Sequence, residues 1–405
     1  MSAEVMKARI MNVMRNLPPL PQVTRQLLVV IRDEAASAED VAKVLSSDQA
    51  LAGKVLKLVN SSFYGVQSEV TKISRAVVIL GFTGIRNLAM GFGSVEALSR
   101  MNSGLDMTHF WSHAMTTAAA AQALAPHVKH RTDPEEAFIA GLMHDIGAYV
   151  LATAVPDQYK DLLEDPEGLS PEKEAEAIGF THAQVGQGLL KFWDLPEPFT
   201  NAARYHHDVT VATSGEQPLT SLVALADVLA CAHGGAFEIA ATEEHLSRLM
   251  HSTGVTPDLM CQAFAGMDQK IEEMSVFMNI AGARMAPVAP ALPEGAQCVV
   301  ISSDNGRRQW TTCLLGGFGY ETYPSRSYFN QEPGASEVDL VLLDPEGLTA
   351  QQLEQLVPFL ASQPARTLVL CERDVPVPEA VADFSRLPFI FSRHQLNQLL
   401  TTQTA

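Results

Sequence analysis

The stretch Gly141-Leu-Met-His-Asp-Ile-Gly147 decides how this chain is read. The surrounding segment, Glu135 to Val150, reads as helix. His144 and Asp145 would therefore leave one helix side by side, the carboxylate free to bridge two metal ions and the imidazole to bind one of them. Further donors lie outward from it. His113 closes Phe110-Trp-Ser-His113 on the Ala-rich helical segment Asp106 to Ala125, and His182 follows Phe180-Thr181. His206 and His207 are adjacent, and Asp227 sits inside the apolar run Ser221 to Ala230. Imidazole nitrogens with carboxylates suit iron, manganese or zinc. A dinuclear site of this kind would generate a hydroxide and clamp phosphoryl oxygens. Each piece alone is weak, because a histidine on an apolar helix is more often a hydrogen-bonded core residue, and His206-His207 reads equally as a surface pair. Asp227 is harder to dismiss: a carboxylate among Leu222, Val223, Leu225, Val228 and Leu229 is rarely buried without a partner or a metal. The strength lies in the ordered set.

The chain has 405 residues, which implies more than one domain. With 47% hydrophobic and 18% charged residues it excludes collagen, coiled coil and wholesale disorder. The net charge of −18 argues against a broad nucleic-acid surface but leaves room for a nucleotide or phosphate ligand. Five scattered cysteines read as free thiols, and no secretory or membrane-spanning segment is expected, so the reading is cytoplasmic. Residues 1–285 read as nearly all helix, with Val41 to Asn60 at helical spacing. Residues 286–296 form a Pro-rich linker. In 297–405, short β-rich runs alternate with helices such as Thr349 to Leu360, which implies a parallel α/β sheet.

The ordered set resembles the HD phosphohydrolase superfamily, and the wider context is closer to its HDOD branch of bacterial signalling proteins. That likeness rests on Leu17-Pro-Pro-Leu-Pro-Gln-Val23, on Asp48-Gln-Ala-Leu-Ala-Gly-Lys-Val-Leu-Lys-Leu-Val-Asn-Ser-Ser-Phe-Tyr-Gly65 and on Ile73-Ser-Arg-Ala-Val-Val-Ile-Leu-Gly81. It continues in the histidine core and Trp193-Asp-Leu-Pro196, covering roughly residues 10 to 240. Many HDOD proteins have lost the metal ligands. Here His113, His144, Asp145, His182, His206, His207 and Asp227 are similar to the ligand pattern of the metal-binding HD-GYP phosphodiesterases. The resemblance implies two transition-metal ions, iron ahead of manganese or zinc. His109, one turn before His113, would be an auxiliary ligand or a residue behind the ligands. Arg204 would meet a phosphate or face solvent. Two departures weigh against turnover: Ala148 stands where those phosphodiesterases often carry a lysine, and Asp208-Val-Thr-Val-Ala replaces a Gly-Tyr-Pro loop.

Residues 297–405 resemble a degenerate response-regulator receiver of flavodoxin-like fold. Strands are expected at Cys298 to Ser302, Leu340 to Leu343, Thr367 to Leu370 and Leu387 to Phe391. Asp304 would sit where receivers place metal-binding acids and Asp344 where the phosphoacceptor belongs. Cys371-Glu372 and Phe391-Ser392-Arg393 depart from the switch residue and the lysine. The expectation is a cytoplasmic signal-transduction regulator whose HDOD domain binds two metals and a phosphate-bearing ligand. The pseudo-receiver would contact a signalling partner or form a homodimer. A metal-dependent phosphohydrolase acting on a nucleotide or cyclic dinucleotide is the alternative, and an oxygen-activating di-iron enzyme stands behind both.

Overall fold

Short polar side chains set where many of the described helices begin. In the computed structural model of the chain, α3 (Ala38–Leu45) starts at a capping box between Ser37 and Asp40. Asp48 then accepts from Ala50 N and Leu51 N to start α4 (Gln49–Val59). That cap divides Val41 to Asn60, expected as one helix, into two, because a carboxylate bonded to the backbone at Asp48 competes with continuing α3. The structure describes the chain except residues 1–2, 18, 32, 34, 61–65, 100–106, 164–169, 234–242, 268, 270, 272–295, 326–337, 347, 363–365, 372–375, 383, 388–390, 392–394, 397–398 and 400–405. The expected linker, Ala296 apart, lies outside the described residues.

Before α3 come α1 (Ala3–Asn16) and α2 (Gln22–Ile31), and after α4 comes α5 (Ile73–Ser99). The elements that carry the histidines follow: α6 (Met107–Leu124), α7 (Pro134–Met143), α8 (Ile146–Ala154), α9 (Pro156–Leu163), α10 (Pro171–Ile178) and α11 (His182–Phe192). Then come α12 (Glu197–Tyr205), α13 (Val209–Ala212), α14 (Pro218–His233), α15 (Glu243–Thr253) and α16 (Pro257–Ala265). Helices α2, α3 and α4 pack on α5, which leans on α7. The inner layer is α6 against α7 and α14, with α11 between α8 and α12, and α12 against α14. Two stretches, Ile73–Leu98 and Pro134–Ala154, are long and apolar enough to cross a bilayer. Their windows are 61% and 94% buried inside the protein, so this apolar length serves the core. All five cysteines are free thiols.

The remaining chain forms one parallel sheet of β1 (Gln297–Ile301), β2 (Glu321–Ser325), β3 (Leu340–Leu343), β4 (Arg366–Leu370) and β5 (Ser385–Leu387). Its order is β2-β1-β3-β4-β5, the doubly wound flavodoxin-like order. The last strand ends at Leu387, earlier than the expected Leu387 to Phe391, and residues 388–390 lie outside the described part. Alternate side chains serve opposite faces. Val299, Ile301, Val341, Leu343 and Val369 meet Leu353, Leu356 and Leu360 of α18 (Ala350–Ser362). Cys298, Val300, Leu340, Leu342 and Leu368 join the helical core. The join runs through α17 (Asn305–Gly317), which packs on α16, with the Phe264 and Phe318 rings 5.9 Å apart.

The crossing of α8 and α11 is the closest-fitting joint around the histidines. A Cβ on Gly147 would collide with the His182 carbonyl oxygen and the Gly186 backbone nitrogen, neither of which is the end of a flexible side chain. Gly147→Ala should therefore destabilise the protein by about 2–3 kcal/mol, the upper range for overpacking, seen as a lowered denaturation midpoint. Gly53→Ala, where a Cβ meets nothing, is the control.

Candidate metal centre

Three helices and two turns bring the sequence-predicted donors together. His113 projects from the middle of α6 and Asp227 from the middle of α14. His144 and Asp145 do not share one helix, as the sequence suggested. His144 caps the C-terminus of α7 and Asp145 occupies the N-cap position of α8, at φ −99°, ψ 11°. In a continuous helix, neighbouring side chains point about 100° apart; the break lets both reach the same point. Asp145 makes no capping bond, unlike Asp133 or Asp208, so both of its oxygens remain available. His182 opens α11 beyond a turn at Gly179, whose φ of 83° favours glycine. His206 caps the end of α12, and His207 follows in the turn to α13.

The Asp145 carboxylate divides the donors in two. Its Oδ2 lies 3.1 Å from His144 Nε2 and 3.3 Å from His113 Nε2. Asp227 Oδ1 completes that group at 3.0 Å from His113 and 3.5 Å from His144, and the two imidazoles are 3.2 Å apart. Asp145 Oδ1 faces the other way, 3.4 Å from His182 Nε2 and 3.3 Å from His206 Nε2. His182 Nε2 is in turn 3.4 Å from His206 Nε2 and 3.1 Å from His207 Nε2. Bond lengths near 2.0–2.1 Å in a tetrahedral shell put adjacent N/O donors about 3.3 Å apart. Both groups have that spacing. His113, His144, Asp145, His182, His206 and Asp227 are all buried, and His207 keeps 12% of its side chain exposed.

The hydrogen bonds behind the imidazoles aim the donors. His144 Nδ1 donates to Gly141 O at 2.7 Å and His206 Nδ1 to Ala203 O at 3.0 Å. His182 Nδ1 donates to Glu174 Oε2 at 2.8 Å. With the Nδ1 protons so assigned, the neutral rings turn Nε2 lone pairs toward the carboxylates. Lone pairs face lone pairs, and Asp145 Oδ1 is buried without a hydrogen bond. A cation, or protons, must occupy the space between them.

The charge balance agrees. Burial disfavours charge on every ring, yet the neighbouring carboxylates overcome it at three of them. His113 is raised, His144 is pushed up to about 10 by Asp145 and Asp227, and His182 to about 9 by Glu174 and Asp145. Burial and the other imidazoles keep His206 and His207 down. Asp145 and Asp227 are held well below the usual carboxylate range despite burial. Metal-free, three raised imidazoles face three buried carboxylates.

Other expected residues fall elsewhere. The side chain of His109 lies outside the described residues. Arg204 lies over the Tyr205 ring, 5.2 Å from its centroid. Ala148 is buried in α8. In the sheet, Asp304 caps α17 by accepting from Arg307 N. Asp344 is buried at the end of β3, accepts from Ser302 Oγ at 2.7 Å and Glu346 N at 3.0 Å, and is raised by burial. Arg307 approaches Asp344 and also pairs with Glu243 of α15 at 2.7 Å. Arg393 lies outside the described residues.

Two residues escaped the sequence reading. Glu174 on α10 is fully buried, and the only signal was its shared helix face with Ile178. Cys231, one turn beyond Asp227, donates to Asp227 Oδ1 at 3.8 Å. The i, i+4 spacing from Asp227 could have found it.

Residues 17–209 match the HDOD domain model. This part of the chain is similar to an HDOD domain. The chain is also similar to an uncharacterised Treponema pallidum protein, 30% identical over 216 residues, which are 53% of this chain and 42% of that one. It thus spans less than half the length of that curated relative. Among solved structures, it is similar to an HDOD domain protein of unknown function from Geobacter sulfurreducens (22% identity, TM-score 0.51, 68% of this chain and 97% of that one). A candidate signal transduction protein from Marinobacter aquaeolei aligns at 24% identity, with TM-score 0.53 and 69% and 66% coverage. A candidate phosphohydrolase from Shewanella amazonensis aligns at 25%, with TM-score 0.50 and 69% and 98% coverage. The first two likenesses show the fold.

Arg204→Ala, which removes a half-buried cation–π contact, should cost about 1 kcal/mol by chemical denaturation and should leave metal uptake unchanged.

Proposed function

We propose that this chain is a signal-transduction protein whose HDOD domain holds a pair of transition-metal ions. The observation that carries this reading is the Asp145 carboxylate, whose two oxygens face two separate donor groups at 3.1–3.4 Å. His113, His144, Asp145 and Asp227 would hold one ion, and Asp145, His182, His206 and His207 the other. When bound, such a pair supplies an acidified water and an electrophilic clamp for phosphoryl oxygens. The chain's own part is to aim the imidazoles, exclude water on most sides and leave an entry edge at His207. Two divalent ions against the carboxylates of Asp145, Asp227 and Glu174 leave one net positive charge, which favours an anionic, phosphate-bearing ligand such as a nucleotide. The sheet, with Asp344 already bonded to Ser302 and Glu346, serves partner contact or dimerisation in this reading.

A second reading, hydrolysis of a phosphodiester, is favoured by the solvent edge at His207 and by the name of the Shewanella neighbour. Ala148 in the core supplies no positive group to a substrate phosphate, which keeps binding and regulation ahead.

Elemental analysis of protein purified without chelator should find about two transition-metal ions per chain. Asp145→Ala removes a donor from each group and should lose both ions with helical circular dichroism retained. His144→Ala should lose the ion of its own group first. Full stoichiometry in Asp145→Ala sinks the assignment. For the second reading, the metal-loaded chain should release nitrophenolate from bis(p-nitrophenyl) phosphate, and Asp145→Ala should not. Stabilisation by the diester without release supports binding alone.

A further inference from the structure

Glu174 belongs to neither donor group, yet it is fully buried. Its Oε2 accepts from both the backbone N–H and the ring Nδ1–H of His182, each at 2.8 Å, and its Oε1 accepts from Tyr159 Oη at 2.9 Å. A desolvated carboxylate is costly to keep in a core, and these bonds offset only part of that cost. His144 and His206 show that orientation alone needs no charge, since neutral backbone carbonyls hold their Nδ1 atoms. Only His182 is backed by an anion in the described contacts of these three rings. A carboxylate behind an imidazole fixes its tautomer and makes the opposite nitrogen a stronger donor.

We infer that Glu174 is a positioning residue that sets the affinity of the metal position formed by Asp145 Oδ1, His182, His206 and His207, and leaves the other position largely untouched. This rests on the metal-pair reading above. The segment that supplies Glu174 is built for the task. Ser170 caps α10, Gly179 ends it in the left-handed region, and the capping box of Thr181 with Gln184 starts α11. The His182 backbone N–H thereby meets the same oxygen as its ring.

The test titrates metal-free, full-length protein with cobalt(II), following both the visible absorption and the exchangeable, hyperfine-shifted ring N–H resonances. Glu174→Gln keeps the shape and an accepting oxygen but removes the charge. It should weaken one of two cobalt positions by about 10- to 100-fold and shift or lose one ring N–H resonance while the others stay. Tyr159→Phe removes only the third bond and should bind both ions as the wild type does. Glu174→Gln that binds both ions normally, or weakens both equally, overturns the inference. A role confined to folding would give the second pattern, with a lowered denaturation midpoint. If wild type takes up no cobalt, the metal-pair reading itself fails, an outcome distinct from a silent Glu174→Gln in a chain that does load.

Discussion

Three carboxylates held away from water are the constraint around which the helical part is arranged. Asp145, Asp227 and Glu174 are each at least 96% buried, and anions at that depth persist only with compensating positive charge. Five imidazoles supply the compensation as protons or as ligands of a cation. The supporting architecture follows from this demand. The α7–α8 break places His144 and Asp145 together, the Gly179 turn delivers His182, and the α12–α13 turn brings His206 and His207 across the gap. Close packing of Gly147 on α11 then holds the two halves in register.

Asp145 is unusual among the helix-start acids of this chain. Asp48, Asp133, Asp208 and Asp304 all bond to the backbone of the helix they begin. Asp145 stands at the same kind of position and withholds its side chain. The local stability forgone there is what a residue gives up when its side chain is needed elsewhere.

Much of this was legible in the sequence. The histidines and acids were readable because ionisable residues inside apolar runs, as at His144, Asp145 and Asp227, conflict with burial unless they are paired. The parallel sheet was readable from alternating β-rich and helical segments. The helix break at His144-Asp145 was not, because the apolar residues on either side continue the run and no proline marks a stop. Glu174 was hidden among Glu172 and Glu176 in a polar helix, where only tertiary packing distinguishes the buried acid from its exposed neighbours. The separation of α3 from α4 turned on Asp48, a capping residue that a purely periodic reading passes over.

The uneven exposure of the cluster has a kinetic side. His207 alone among its members shows an appreciable edge to solvent, while His113, His144, Asp145, His182, His206 and Asp227 are each no more than 4% exposed. An occupant cannot leave by the swing of one surface side chain, and the turn carrying His206 and His207 has to part from α11 and α14 first. Local opening of that backbone would then contribute to the barrier for departure. A centre enclosed in this way would exchange any occupant only as fast as the surrounding backbone opens.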